Sequence, residues 1–347
     1  MFVSLLIKKI RKKYHISRYL ILDFFFVFIP TRILLNIIIN IYRQKIAKKL
    51  FKTLFDNKNK RIIVFYDLKE SSIAYGDFFY FCMFVRQLKV NGFRIKCYII
   101  TDTIRFDYFN IFNQKKIKKI IIELKLMFKF LCKQNLFQIK FMNIKKELDK
   151  NRKNFVFCEK KVISRQRIHT YYPLINKEIY NFYKNKSFLL KSNMQNIIAY
   201  GVRYQYFKSH SERNQNINQI NNDIKFLKRK FNKSKIILIT NYETQKKLIK
   251  LFTFNYKKVK FSQGKFFHLD LKILLRCKYF YTSTNSGLGT VNVFIDRPSR
   301  IICNNKDIYN KSLAPDFFYP TKIAARNFWP WLNKKIEVNF KSYYSDS

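Results

Sequence analysis

The five residues richest in possible chemistry stand together, as Ser283-Thr284-Asn285-Ser286-Gly287. They follow an apolar run, Tyr279 to Thr282, and open a stretch, Gly287 to Ile295, that reads as a helix. Hydroxyl and amide side chains beside a glycine at a helix start leave backbone N–H groups free, at the positive end of the helix dipole. Such a turn either grips an anion or only caps its helix. Half of the chain's six glycines lie in this part, at Gly264, Gly287 and Gly289. Other chemistries are missing. There is no Asp-x-Asp pair, no G-x-x-x-x-G-K-[ST] loop, no H-E-x-x-H and no G-x-S-x-G, so the main NTPase, zinc-protease and hydrolase signatures are absent. The six cysteines, Cys82, Cys97, Cys132, Cys158, Cys277 and Cys303, show no C-x-x-C spacing. They read as buried reduced thiols rather than zinc ligands.

The elements that must position this turn alternate between strand and helix. Arg61 to Tyr66 is a short apolar run of the kind found in a buried parallel strand. A helix is expected over Phe78 to Val90, stopped by Asn91-Gly92, and a strand over Phe93 to Thr101. Together they make one βαβ unit, which feeds a parallel sheet. A lysine-rich helix over 114–134 and a strand at 154–158 follow. The pattern restarts at Asn196 to Val202 with a strand. A helix follows over Asn216 to Phe231, with Ile217, Ile220, Ile224 and Leu227 on one face. Strands are then expected at Lys235–Thr240, Lys258–Phe261, Tyr279–Thr282 and Arg300–Cys303, with helices at Glu243–Phe252 and Leu269–Cys277 between them. The fold class is therefore α/β, with two Rossmann-like halves facing each other across a cleft at the carboxyl ends of their strands. The expected domains are 1–60, 61–190 and 191–347.

Lys and Arg number 70 against 21 Asp and Glu, for a net charge of +49, while 48% of residues are hydrophobic. That apolar content excludes a disordered basic tail. Six glycines and six prolines exclude a fibrous or linker-rich chain. The cations are spread along the whole length beside abundant Asn, Ile, Phe and Tyr, which is the residue usage of an AT-rich genome. Residues 19–42 are apolar but broken by Asp23, Pro30 and Arg32, with basic flanks. A charge at the bilayer centre costs at least ~2.5 kcal/mol. An in-plane helical anchor on an anionic membrane surface fits the first sixty residues better than a span. Helices packed on the main domain are the alternative. Phe328-Trp329-Pro330-Trp331 is expected to pin the C-terminal segment across the domain junction.

Residues 195–325 resemble the C-terminal domain of the GT-B glycosyltransferases that build bacterial surface polysaccharides. Ile197 to Arg203 is similar to that family's strand ending in His-x-Arg, with Gly201 in place of the histidine. The pair Arg213-Asn214 follows. Lys235 to Glu243, which contains Asn241, resembles the strand and loop before the ribose and base pocket. Asp270 to Ile302 contains the Ser-Gly turn, and Asp316 to Lys322 resembles the closing segment. In the other half, Tyr75-Gly76-Asp77 is similar to the Gly-Asp turn of heptosyltransferase-like members.

The resemblance implies a nucleotide-sugar donor bound by Arg203, Arg213, Asn214, Asn241, Asn285, Ser286 and Gly287. It implies Asp77 as the general base that takes a proton from the acceptor hydroxyl; the plain alternative is that Asp77 caps its helix. Glu70 and His210 are further candidates for the proton. No cofactor is expected, and no metal, because the Asp-x-Asp pair that would bind Mn or Mg in the other glycosyltransferase fold is missing; cations such as Arg203, Lys208, Arg213 and Lys265 can neutralise a leaving diphosphate instead. The implied activity is transfer of a sugar to a lipid-linked or cell-surface glycan acceptor by a peripheral protein on the cytoplasmic face of the inner membrane. Two other readings are an inactive GT-B-like assembly partner and a basic nucleic-acid-binding protein. The second lacks a stacking or groove-reading motif, so nucleic acid is not an expected partner.

Overall fold

The computed structural model describes residues 29–68, 75–102, 114–150, 154–158, 172–191, 193–202, 215, 217–240, 245–246, 248–249, 259–262, 267–283, 291, 294–295, 299–304, 330–331 and 336–341. By compactness the chain divides into Met1–Ile46 and Ala47–Ser347. Helix α1 covers Ile29–Asp56. No helix among the described residues is long and apolar enough to cross a membrane.

Within Ala47–Ser347 the described strands form two sheets, all of whose pairings are parallel. The first holds β1 (Arg61–Asp67), β2 (Arg94–Ile100), β3 (Leu136–Ile139) and β4 (Phe155–Cys158), in the order β3-β2-β1-β4. The second holds β5 (Gln195–Gly201), β6 (Lys235–Ile239), β7 (Val259–Phe261), β8 (Cys277–Ser283), β9 (Ser299–Asn304) and β10 (Ile336–Lys341). Its order is β10-β9-β8-β5-β6-β7. Counted from its own first strand, each sheet runs 3-2-1-4, and the second continues to 5 and 6. That is the doubly wound order, in which the chain reverses direction between strands 1 and 4. The reversals fall between β1 and β4 and between β5 and β8.

The central strands are apolar because both faces are covered. Ile62 to Tyr66 of β1 are all buried. Helix α2 (Tyr75–Val90) is apolar nearly all round, so it has to be enclosed. It packs against α3 (Gln114–Cys132) and α5 (Tyr172–Tyr183). Phe81 lies at the centre, against Tyr66, Phe128 and Tyr172. Gly92, at φ 85°, ends α2 as the spacing predicts. Its N–H bonds the Lys89 carbonyl and that of Phe93 bonds Leu88, which closes the last turn. Arg86 donates to the Leu131 carbonyl at 2.9 Å and Lys89 to that of Cys132 at 2.8 Å. Two cations of α2 thereby satisfy carbonyls that α3 leaves open at its end.

The other sheet buries Ile198, Tyr200, Ile236, Leu238, Tyr279 and Tyr281 under α6 (Ile217–Lys230). Ile220, Ile224 and Leu227 of α6 are buried as its periodicity requires. Helix α7 (Phe267–Arg276) leads directly into β8.

Several elements were not foreseen. Short β3 and α4 (Ile144–Lys150) offer few residues for a period to show, whereas α5 and β10 do carry one: β10 alternates Ile336, Val338 and Phe340 with Glu337, Asn339 and Lys341, and α5 buries Tyr172, Ile175, Ile179 and Tyr180 on one side. The expected helix to Ile295 ends earlier: Phe294 is in a turn, and Ile295 pairs with Leu190 in an isolated parallel bridge. The aromatic tail behaves as expected at Trp331, which is buried against Tyr180, Phe188 and Phe294.

Candidate functional site

A doubly wound sheet binds its ligand outside the carboxyl ends of its strands, where the strand order reverses. In the second sheet that place is fixed by the register Gly201↔Thr282 between β5 and β8. The last described residue after β5 is Val202, and β8 ends at Ser283. Arg203, Arg213, Asn214, Asn241, Asn285, Ser286 and Gly287 lie outside the described residues, as do Glu70, His210, Lys208 and Lys265. The two strands that lead to Arg203 and to the Ser-Gly turn are therefore immediate neighbours and end level with each other.

A buried polar network braces this end of the sheet. Tyr200 of β5 and Tyr281 of β8 each donate a hydrogen bond to Asp223 of α6, both at 2.8 Å. Gln215 donates to the Tyr200 hydroxyl at 2.9 Å. The three elements that converge on the reversal point, β5, β8 and α6, are thus tied through one carboxylate.

Asp77 is half-buried in the first turn of α2, which follows β1 at the carboxyl end of the first sheet. It is the one expected site residue among those described. Two residues earlier, Tyr75 stacks on Phe267, ring centroids 4.8 Å apart and nearly parallel. The first turns of α2 and α7 therefore meet, although α2 belongs to one sheet's layer and α7 to the other's.

Sequence reasoning missed what surrounds that stack. Glu123 of α3, almost fully buried, accepts the Phe267 N–H at 3.1 Å and lies 3.5 Å from Nδ1 of His268. Its second oxygen, Oε1, has no partner among the described residues. Asp270, one turn into α7, is also buried. Burial, with help from the nearby Glu123 charge and against the Ser262 hydroxyl, raises its pKa to about 7. Glu123 is raised too, by burial first, while the His268 ring and the Phe267 N–H lower it. The Tyr75 hydroxyl is pushed up by burial and then by the charges of Glu123 and Asp270. Chemically this is a buried cluster of acids where helices of the two sheets meet, with the Asp270 carboxyl raised toward neutrality. The available signal was weak: one Glu among the lysines of α3, and a His-x-Asp at the start of α7.

Of the cysteines, Cys82, Cys97, Cys132 and Cys277 are buried. Among the described residues no group of three His, Cys, Asp or Glu side chains is arranged to hold a metal ion.

No family model matches the chain, and no curated protein matches its sequence. In structure it is similar to E. coli heptosyltransferase WaaC with ADP, at 10% identity and a TM-score of 0.42, over 82% of this chain and 94% of that one. WaaC with ADP-2-deoxy-2-fluoro heptose aligns at 10% identity and a TM-score of 0.41, over 80% and 92%. The glycosyl transferase family 9 structure from Veillonella parvula aligns at 10% identity and 0.42, over 82% and 87%.

Proposed function

We propose that the chain is a metal-independent glycosyltransferase of the GT-B type, organised as an acceptor-side domain over 61–190 and a donor domain over 191–347. It takes a sugar from a nucleotide-sugar donor and passes it to a lipid-linked or cell-surface glycan acceptor. It works at the cytoplasmic face of the inner membrane as a peripheral protein, held on an anionic surface by its first sixty residues. The observation that carries this reading is the pair of doubly wound parallel sheets joined through the first turns of α2 and α7. Each sheet offers one binding edge, as a two-substrate transfer requires.

The diphosphate is bound by Arg203 and Arg213 with the Asn285-Ser286-Gly287 turn, while Asn214 and Asn241 meet the rest of the nucleotide. Asp77 takes the proton from the acceptor hydroxyl. As the bond between the sugar and the diphosphate breaks, negative charge grows on the phosphate oxygens, and arginine forks stabilise it. No cofactor takes part.

The test is a panel of ADP, GDP, UDP and CDP against thermal unfolding. One of them raises Tm, and the corresponding nucleotide sugar is turned over. Asp77→Asn lowers that turnover about 10²–10⁴-fold, the worth of a general base, with nucleotide affinity unchanged. Arg203→Lys lowers it roughly ten- to hundredfold, while Arg229→Lys on the exposed side of α6 does not. No response to any nucleotide diphosphate defeats the proposal.

A further inference from the structure

Helix α3 has two faces that do different things. Its inner face buries Ile117, Ile121, Leu124, Met127, Phe128 and Leu131. Its sole acid, Glu123, is also turned inward, to the Phe267 N–H of α7. The outer face is a stripe at the spacing of successive helical turns: Lys115, Lys119, Ile122, Leu126, Lys129 and, just past the end, Lys133, all exposed. Ile122 is 56% exposed and Leu126 40%. Lys118 and Lys125 flank the stripe. Two branched apolar side chains therefore stand in water at the middle of a run of cations, and α3 itself places no carboxylate on that face.

We infer that this outer face of α3 docks on an anionic lipid surface, with Ile122 and Leu126 entering the headgroup–acyl boundary and the lysines lying among the lipid phosphates. Charge complementarity selects the occupant. A helix lying in the interface plane needs apolar side chains on the buried line and cations beside it, and lysine stems can lie along the apolar zone while their ammonium groups reach phosphate. A soluble polyanion would use the lysines and gain nothing from Ile122 or Leu126. This contact is separate from the first sixty residues and does not depend on the sugar-transfer reading.

Vesicle flotation of the full chain tests it, with phosphatidylcholine vesicles containing or lacking phosphatidylglycerol. Any attachment through other segments is common to all variants. Binding should require the anionic lipid and weaken with salt. Lys119→Gln and Lys129→Gln should each weaken it about fivefold, the contribution of one cation near such a surface. Ile122→Ser and Leu126→Ser should weaken it by a similar factor, roughly fivefold. The Ile122→Trp variant should show fluorescence that lipid-borne quenchers remove, over the signal of the parent tryptophans. Because the substituted side chains are exposed, unchanged thermal unfolding serves as the folding control. The inference is overturned if Ile122→Trp gains no quenchable signal. It is overturned equally if the lysine variants weaken binding while Ile122→Ser and Leu126→Ser do not, since that pattern belongs to a soluble polyanion such as RNA.

Discussion

Asp223 and Asp270 are hidden from water to nearly the same degree, 7% and 6% exposed, yet their surroundings differ. Asp223 lies within the second sheet's layer, and each of its oxygens accepts a tyrosine hydroxyl, from Tyr200 and Tyr281. Asp270 lies where the two sheets' helices meet, with the Ser262 hydroxyl on its side and the Glu123 carboxylate against it. A buried acid costs least when strong donors meet both oxygens. A buried acid beside another acid keeps its proton well above the usual carboxylate range. The first arrangement fixes the strands that lead to Arg203 and the Ser-Gly turn. The second leaves the junction sensitive to pH.

The comparison is broken most severely at Asp223. Asp223→Ala deprives two buried hydroxyls of the acceptor they share, and the expected cost is about 2–6 kcal/mol, each such group being worth about 1–3. Urea unfolding should show a lower midpoint with an unchanged slope. An effect below about 1 kcal/mol would mean that the network is not what braces β5 and β8.

The pH profile is the next largest effect. The folded chain holds the Asp270 proton up to about pH 7, whereas the unfolded chain releases it near the ordinary aspartate value of 3.8. Between those values the folded state binds more protons, so stability falls as pH rises through that window. At about 1.4 kcal/mol per pH unit the ceiling is about 4 kcal/mol. Asp270→Asn should flatten this fall and make the protein more stable than the parent at pH 8. A parent profile that rises with pH across the whole window, unchanged in the variant, would sink the assignment.

Glu123→Gln is a gentler probe. The amide oxygen still accepts the Phe267 N–H, but the charge that opposes ionisation of Asp270 is gone. The fall in stability should then finish at lower pH, with a net change of about 1 kcal/mol at pH 7. Tyr75→Phe should do least. It keeps the ring stacked on Phe267 and removes only the hydroxyl, so a change under about 0.5 kcal/mol is expected. A larger loss would show that the hydroxyl, and not the stack, joins α2 to α7.

How much was legible varied with the kind of interaction. Strands β1, β2, β5, β6 and β8 and helices α2, α3 and α6 follow from runs of apolar residues at their own periodicity. The Gly92 stop followed from Asn91-Gly92. Asp77 was legible as an acid at a helix start, because that signal is local. Glu123 was not, because its partners Phe267 and His268 are 144 and 145 residues away. Strands as short as Leu136–Ile139 offer too few residues for a period to show.

The sequence by itself determined the alternation of strand and helix, the two-fold restart of that pattern and the amphipathic faces of α3 and α6, because side-chain spacing along one element decides which face is apolar. It also determined that an acid, Asp77, stands near the start of α2. Only the tertiary structure decided the strand orders that put each reversal point at carboxyl ends, the pairing of Gly201 with Thr282, and the meeting of Tyr75 with Phe267. It alone set Asp270 beside Glu123. Burial and proximity between distant segments make a carboxyl group titrate near neutrality, and neither is written in the residues on either side of it.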